Sequence, residues 1–342
     1  MEFDCIRLRF DTPLHLSNAR PNDYGSSERV IHSDTFTAAI FQAWAMLGYS
    51  DWIPADNEIT PGFVVSSLFP FRGGDQPIYF LPKPFFRHQT QPTNDTDAGD
   101  AKKFKKVQFV DVPHFEAYLH QTPLPSVGTS AIRGAFQSEV LASLSADEAD
   151  FLTSDIQTRL VKPRDESEPT PYYVERLYFR HGSGLWGLVR YETPEARQRV
   201  ETAVRYLADS GLGTDRAVGN GLFTPSFDKI NLNLPKSGEF AVSLSLYCPA
   251  DHTQLTNVLT DSRTRYDLVK RGGWLSEPHN TFRKRSVWML REGSLLHHVI
   301  SQPATLGRLV DLQPAENLLP AGIKIGHPVW RDGRAFLLPV NL

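Results

Sequence analysis

Gly211-Leu-Gly-Thr-Asp-Arg-Ala-Val-Gly-Asn-Gly-Leu-Phe223 sets glycines at 211, 213, 219 and 221 around one arginine, Arg216. Glycine has no Cβ, so it reaches positive φ and lets a second backbone approach closely. Such a loop offers successive N–H donors to a phosphate oxygen, and Arg216 adds a permanent charge on a rigid fork of donors. Two familiar phosphate loops are excluded. A Walker A loop needs a lysine after its second glycine, and no Lys lies between 206 and 228. A dinucleotide fingerprint needs a third glycine where Arg216 stands, and a strand before it. The preceding segment reads instead as a helix. Thr193 suits the N-cap and Pro194 the first helical position. Val200, Ala203, Val204 and Leu207 then recur at helical spacing, and Gly211 follows as a stop. On this stretch alone, a capped helix followed by an ordinary turn explains the glycines equally well.

The 342 residues suffice for two domains of ordinary size. A content of 40% hydrophobic and 22% charged residues is that of a soluble globular chain, and no apolar run is long enough to span a bilayer. The opening Met1-Glu-Phe-Asp-Cys-Ile-Arg7 is acidic and then strand-like, which is not a secretory signal. Cys5 and Cys248 form neither a disulfide framework nor a zinc spacing, so a cytoplasmic location is expected. A net charge of −3 argues against coating nucleic acid by bulk attraction, so any such contact must be local.

Residues 3–10 alternate, with Ile6, Leu8 and Phe10 on one face and Cys5, Arg7 and Arg9 on the other, as in a half-buried strand. A helix follows, capped by Ser33 or Asp34, with Phe36, Ile40, Ala43, Trp44 and Leu47 on one stripe and Gly48 as its stop. Strands are expected over 63–71 and 78–81, a loop over 88–106 and weak helices over 113–144. Ser145 and Glu148 form a capping box. A charged loop spans Arg159 to Asp165, and Tyr172–Phe179 with Gly184–Tyr191 reads as a hairpin. After a strand over 227–234, Lys236-Ser-Gly238 is the natural boundary; beyond it Phe240, Val242, Leu244 and Leu246 open a second domain.

Taken in order, five landmarks carry a resemblance: His32-Ser-Asp-Thr-Phe36; Ser66-Ser-Leu-Phe-Pro70 with Leu81-Pro-Lys-Pro84; Arg159–Asp165 before Leu177-Tyr-Phe179; the glycine loop; and Glu292-Gly-Ser294 with the run His327–Phe336. The set resembles the fourth-subunit RAMP family of the type III-A CRISPR effector complex, of the Cas-five-like group. It covers most of the chain apart from about 86–158. It implies an α+β fold of two ferredoxin-like (RRM-like) domains with long insertions. The first would span 1–235, with an insertion around 86–158 and the glycine loop 211–223; the second would span 238–342. It further implies a non-catalytic, cofactor-free subunit in antiviral defence that grips the 5′ tag of a CRISPR RNA. Its partners would be the large polymerase-like subunit and the backbone RAMP subunit, with no membrane. No strand carries the aromatic RRM signature, so stacking of bases on a sheet face is not expected, and Asp215 would repel phosphate.

The candidate RNA contacts are Gly211, Gly213, Arg216, Gly219 and Gly221 of the loop, His15, His32 and Ser33 near the first strand and helix, and Lys83 between its prolines. Arg159 and Arg164 of the charged loop and Arg283 and Arg285 of the second half complete the set. Ser33 also reads as a plain helix cap beside an anion-binding helix terminus. The sequence offers no metal-ligand cluster and no catalytic triad. Three other readings stay open. His15 and His32 could act as the acid–base pair of a metal-independent CRISPR RNA-processing endonuclease of the same superfamily. The chain could be the equivalent type III-B subunit. Or the glycine loop could only pack against a partner protein.

Overall fold

The structure, a computed structural model, describes residues 1–17, 24–88, 98–126, 128–162, 168–276, 279–298, 306–320 and 322–342. The first half runs β1 (Glu2–Phe10), α1 (Ser33–Met46), β2 (Phe63–Val65), β3 (Phe69–Arg72), β4 (Ile78–Pro82), α2 (Ala98–Lys106), β5 (Phe109–Asp111), α3 (Val112–His120), β6 (Ile132–Arg133), β7 (Phe136–Gln137), α4 (Glu139–Ser143), α5 (Ala146–Ala149), β8 (Leu152–Val161), β9 (Thr170–Phe179), β10 (Gly184–Tyr191), α6 (Pro194–Ser210) and β11 (Phe223–Asn231). The second half runs β12 (Phe240–Ser243), α7 (His252–Leu259), β13 (Leu268–Arg271), β14 (Val287–Leu290), β15 (Leu295–His297), β16 (Leu309–Asp311), β17 (Trp330–Asp332) and β18 (Leu337–Val340).

The largest sheet has the order β11-β1-β10-β3-β4-β5-β7-β6, with β2 pairing onto β10. The alternation of β1 decides its two faces. Ile6, Leu8 and Phe10 join a core with Phe36, Ile40 and Trp44 of α1 and Val200, Val204 and Leu207 of α6. Phe3 and Cys5 join the other core, which takes in Phe240 and Val242 of β12, Phe336, and Leu338 and Val340 of β18. The two helices therefore cover one face and β12 with β18 packs against the other, while Leu309 and Trp330 of the second half reach the helix side. Trp44 Nε1 donates to the Arg199 carbonyl at 2.9 Å and ties α1 to α6.

The second half builds a small sheet in the order β15-β12-β18, with β12 antiparallel to both neighbours. Residues 86–158 extend the large sheet by β5, β7 and β6. Phe115, Tyr118 and Leu119 of α3 enter the core shared with the second half, and Asn341 N donates to the Leu119 carbonyl at 2.9 Å.

Several local expectations are corrected. The 88–106 loop contains α2, because Ala and Lys are strong helix formers and nothing after Gly99 breaks the run; residues 89–97 lie outside the described residues. The 63–71 strand is broken at Ser66-Ser67, where the Ser67 N–H turns away to the Leu244 carbonyl at 2.8 Å. The 172–191 hairpin does not form. β9 pairs with β8 along ten residues, from Leu152↔Phe179 to Val161↔Thr170, while β10 lies between β1 and β3 inside the large sheet. Arg159 consequently lies on strand β8 and not in a loop.

Candidate nucleic-acid interface

The glycine loop leaves α6 with all four glycines in left-handed backbone, at φ 79°, 84°, 80° and 74° for Gly211, Gly213, Gly219 and Gly221. Thr193 caps α6 through the Ala196 N–H, with Pro194 at the first position. Close approach explains three of the glycines: a Cβ at Gly211 would collide with the Asn220 carbonyl, one at Gly213 with the His15 carbonyl, and one at Gly221 with the Leu212 carbonyl. Gly219 faces open space and is needed only for its backbone angle. The loop closes on itself through Leu212 N–H to the Gly221 carbonyl at 2.9 Å. It is clamped to the segment after β1 by Thr214 N–H to the His15 carbonyl at 3.0 Å and Gly221 N–H to the Pro13 carbonyl at 2.8 Å. Leu14 and Leu177 exchange backbone bonds, which brings β9 against the same segment.

Charge gathers where these pieces meet. Asp215 sits at φ 62° and accepts from Arg159 of β8 at 2.8 Å and from Arg176 of β9 at 3.4 Å. Its charge is therefore held by two guanidinium groups, contrary to the expectation of bare repulsion. Arg216 is exposed and has no side-chain partner among the described residues. Three arginines against one carboxylate leave the loop cationic. His15 is buried beneath it; its Nδ1 donates to the Glu175 carbonyl at 2.6 Å, and its Nε2 has no partner among the described residues.

His32 and Ser33 belong to a different network, the seam between the halves. His32 Nδ1 donates to Glu292 Oε1 at 2.7 Å, and the Ser67 hydroxyl bonds the same carboxylate. Ser33 N–H donates to Ser67 Oγ at 2.8 Å, and Ser33 Oγ accepts from Leu246 N–H at 3.0 Å. Asp34 takes two bonds from Arg271, at 2.9 and 3.1 Å, with Arg331 at 3.6 Å. These side chains are buried, so the expected side-chain cap is corrected: α1 begins after His32 without one, because Ser33 and Asp34 face the second half. Burial alone would raise the Asp34 and Glu292 carboxyls. Arg271 and Arg331 outweigh it at Asp34, and His32 with Ser67 at Glu292, so both lie below the usual carboxylate range.

Lys83 is also internal in its bonding. Its ammonium donates to the Phe104 carbonyl near the end of α2 at 3.0 Å, and burial pushes its pKa down. Arg283 lies over the Trp274 ring at 4.7 Å, and Arg285 donates to the Asp311 carbonyl at 3.0 Å; both remain exposed. Arg164 lies outside the described residues. The structure thus brings His15, Arg159 and the loop together, sets His32 and Ser33 in the seam, and puts Lys83 under α2. Sequence reasoning missed Arg176, which looks like any polar residue of a half-exposed strand. It also missed the anchoring role of Asp215, which the tolerance of Asp for left-handed backbone could have suggested.

Residues 236–340 match the family of the CRISPR Csm4 C-terminal domain. The chain is 25% identical over 332 residues to the CRISPR system Cms protein Csm4 of Thermococcus onnurineus (strain NA1), covering 93% of this chain and 94% of that one. Over 236–340 the chain thus matches the Csm4 C-terminal family, and along its length it is similar to Csm4 proteins. The Csm4 protein of Methanocaldococcus jannaschii is 20% identical over 392 residues, covering 100% of this chain and 98% of that one. Among solved structures, the chain resembles one from the Csm3-Csm4 subcomplex of the type III-A CRISPR-Cas interference complex. That likeness has a TM-score of 0.63 and 17% identity, over 100% of both chains. A chain of the Csm1-Csm4 cassette in complex with AMPPNP gives a TM-score of 0.60 and 20% identity, over 100% of this chain and 99% of that one. These likenesses show that the Csm4 fold extends over the whole chain. No described helix is long and apolar enough to cross a membrane.

Proposed function

We propose that this chain is a non-catalytic, RNA-binding subunit of a cytoplasmic type III-A CRISPR effector ribonucleoprotein. In this reading it grips the 5′ tag of the CRISPR RNA and contacts the large polymerase-like subunit and a backbone RAMP subunit. Csm4 relatives span the chain, and the solved likenesses are Csm1-Csm4 and Csm3-Csm4 assemblies. The observation that carries the RNA-binding reading is the clamped glycine loop, which holds Arg216 exposed and adjoins Asp215, the carboxylate that gathers Arg159 and Arg176. Phosphate contacts of that kind fix position; splayed bases can then be read in a cleft whose 2′-OH contacts mark RNA.

The two-domain, ferredoxin-like architecture belongs to the same proposal. In the first half β1-α1-β3 and β10-α6-β11 give the sheet order β11-β1-β10-β3, with both helices on one face. That is a βαββαβ arrangement with its first strand between the third and fourth. The second half repeats the centre of it, with β12 between β15 and β18 and α7 following β12. The boundary falls at 236–238.

The test is competition within the assembled complex at fixed moderate salt. RNA bearing the natural 5′ tag should displace a labelled probe at far lower concentration than tag-scrambled RNA or the matching DNA. Equal competition would reduce the cleft to an electrostatic seat.

A further inference from the structure

A cavity of about 180 Å³ lies in the second half, away from the glycine loop in sequence. Lys284, Lys324, His279, His327 and Ser276 supply its polar lining, with an apolar wall that includes Leu275 and Ile325; no carboxylate is among its described lining residues. No described residue accepts a hydrogen bond from either amine. His327 donates Nδ1 to the Pro328 carbonyl at 3.0 Å, which leaves Nε2 for another group.

The cations behind the cavity strengthen the case. Asp34 is the carboxylate that meets Arg271 and Arg331, both largely buried, and Lys284 also feels all three. Asp34 thus stands among three cationic groups, with Glu292 and Glu28 also acting on Arg271. Burial, then Arg331 and Arg271, press the Lys284 amine down to about 7, against the opposing pull of Asp34. Arg331 Nε is buried without a hydrogen-bond partner among the described residues. A buried cation is costly unless an anion answers it; Lys284 has no carboxylate within hydrogen-bond reach among the described residues, and the cavity is where an anion can enter. Its volume exceeds what a single water needs, about 30 Å³.

We propose that this cavity is a phosphate-binding site, with Lys284 and Lys324 as its principal contacts and His279 and His327 at its edge. The proposal does not rest on the glycine-loop reading. The phosphate is either one in a bound RNA chain or one on a free phosphorylated compound, and both present anionic non-bridging oxygens to the amines.

The test titrates inorganic phosphate and adenosine monophosphate into the full-length protein, followed by phosphorus NMR at neutral pH. Lys284→Ala and Lys324→Ala should each weaken binding about tenfold or more. Lys324 is exposed, so its variant keeps the test valid if Lys284→Ala folds poorly. Repeating the titration on RNA-loaded protein separates the sources. If RNA abolishes phosphate binding and Lys324→Ala weakens RNA binding, the site holds an RNA phosphate. If phosphate still binds, the site serves a free compound. No phosphate binding to the wild-type protein in either state, or equal binding by wild type and both lysine variants, overturns the proposal.

Discussion

Asp215, in left-handed backbone within the glycine loop, accepts a hydrogen bond from Arg159 on β8 at 2.8 Å. One carboxylate thus joins the loop after α6 to a hairpin 56 residues upstream, and Arg176 adds a second tie. A partly exposed pair of this kind contributes little to stability, at most about 1 kcal/mol. Its value lies in orienting the two guanidinium groups beside Arg216. Asp215→Asn keeps a residue that tolerates positive φ and removes a negative charge. RNA affinity, measured by filter binding, should fall several-fold although the net charge becomes more positive. Tighter binding would mean that Asp215 only repels phosphate and positions nothing.

The four loop glycines are not equivalent. Gly219→Ala meets no atom and should cost about 1–2 kcal/mol for its left-handed backbone alone. Gly213→Ala and Gly221→Ala also drive a Cβ into a carbonyl of Pro13–His15 or of the loop itself. Urea unfolding should rank these two clearly below Gly219→Ala. Equal losses at all three would mean that the loop is not held against His15 as described.

Much of this arrangement was legible in the sequence, and its gaps have physical causes. Local signals held where a short segment decides them: the Thr193 cap with Pro194, the Ser145–Glu148 capping box, and the faces of β1. Pairing was not legible. Tyr172–Phe179 and Gly184–Tyr191 follow each other closely and both read as strands, yet the chain between them passes from the β8–β9 ribbon into the centre of the large sheet. The loop was visible as a cluster of glycines, but Arg176 reaches it only through tertiary structure. The same holds for Ser33 and Asp34, which have the right chemistry for a cap but make longer-range bonds across the seam.

That seam should give the protein an acid limb. Asp34 and Glu292 both lie below their usual carboxylate values when folded. Between the folded and unfolded pKa values the unfolded chain binds more protons, so stability rises with pH there. The contribution is complete above the unfolded values of about 4 and is lost as pH falls through the folded ones. Asp34→Asn leaves Arg271 and Arg331 buried without their carboxylate and should cost about 3–5 kcal/mol at neutral pH. Denaturant melts from pH 7 down to pH 3 should show that gap narrowing as Asp34 of the unfolded wild-type chain takes up its proton. A constant gap would mean that Asp34 acts through packing and not through its charge.

Salt dependence should separate the cations that meet RNA from those that serve the fold. Each phosphate neutralised on a single strand contributes about 0.7 to the slope of log affinity against log salt. Arg216 is exposed and unpartnered among the described residues, so Arg216→Ala should flatten the slope by about that amount while leaving thermal stability nearly unchanged. Lys83 differs because its ammonium is already bonded to the Phe104 carbonyl and pushed towards its neutral form by burial. Lys83→Met should therefore leave the slope unchanged and lower the stability of the region around α2, read as faster amide exchange there. Arg159 is intermediate, since its guanidinium is shared with Asp215. Its replacement by Ala should lower affinity with a slope change smaller than that of Arg216→Ala. If Lys83→Met flattened the slope as much as Arg216→Ala, the lysine would have to leave α2 to reach phosphate, and its placement beneath that helix would describe only the RNA-free protein.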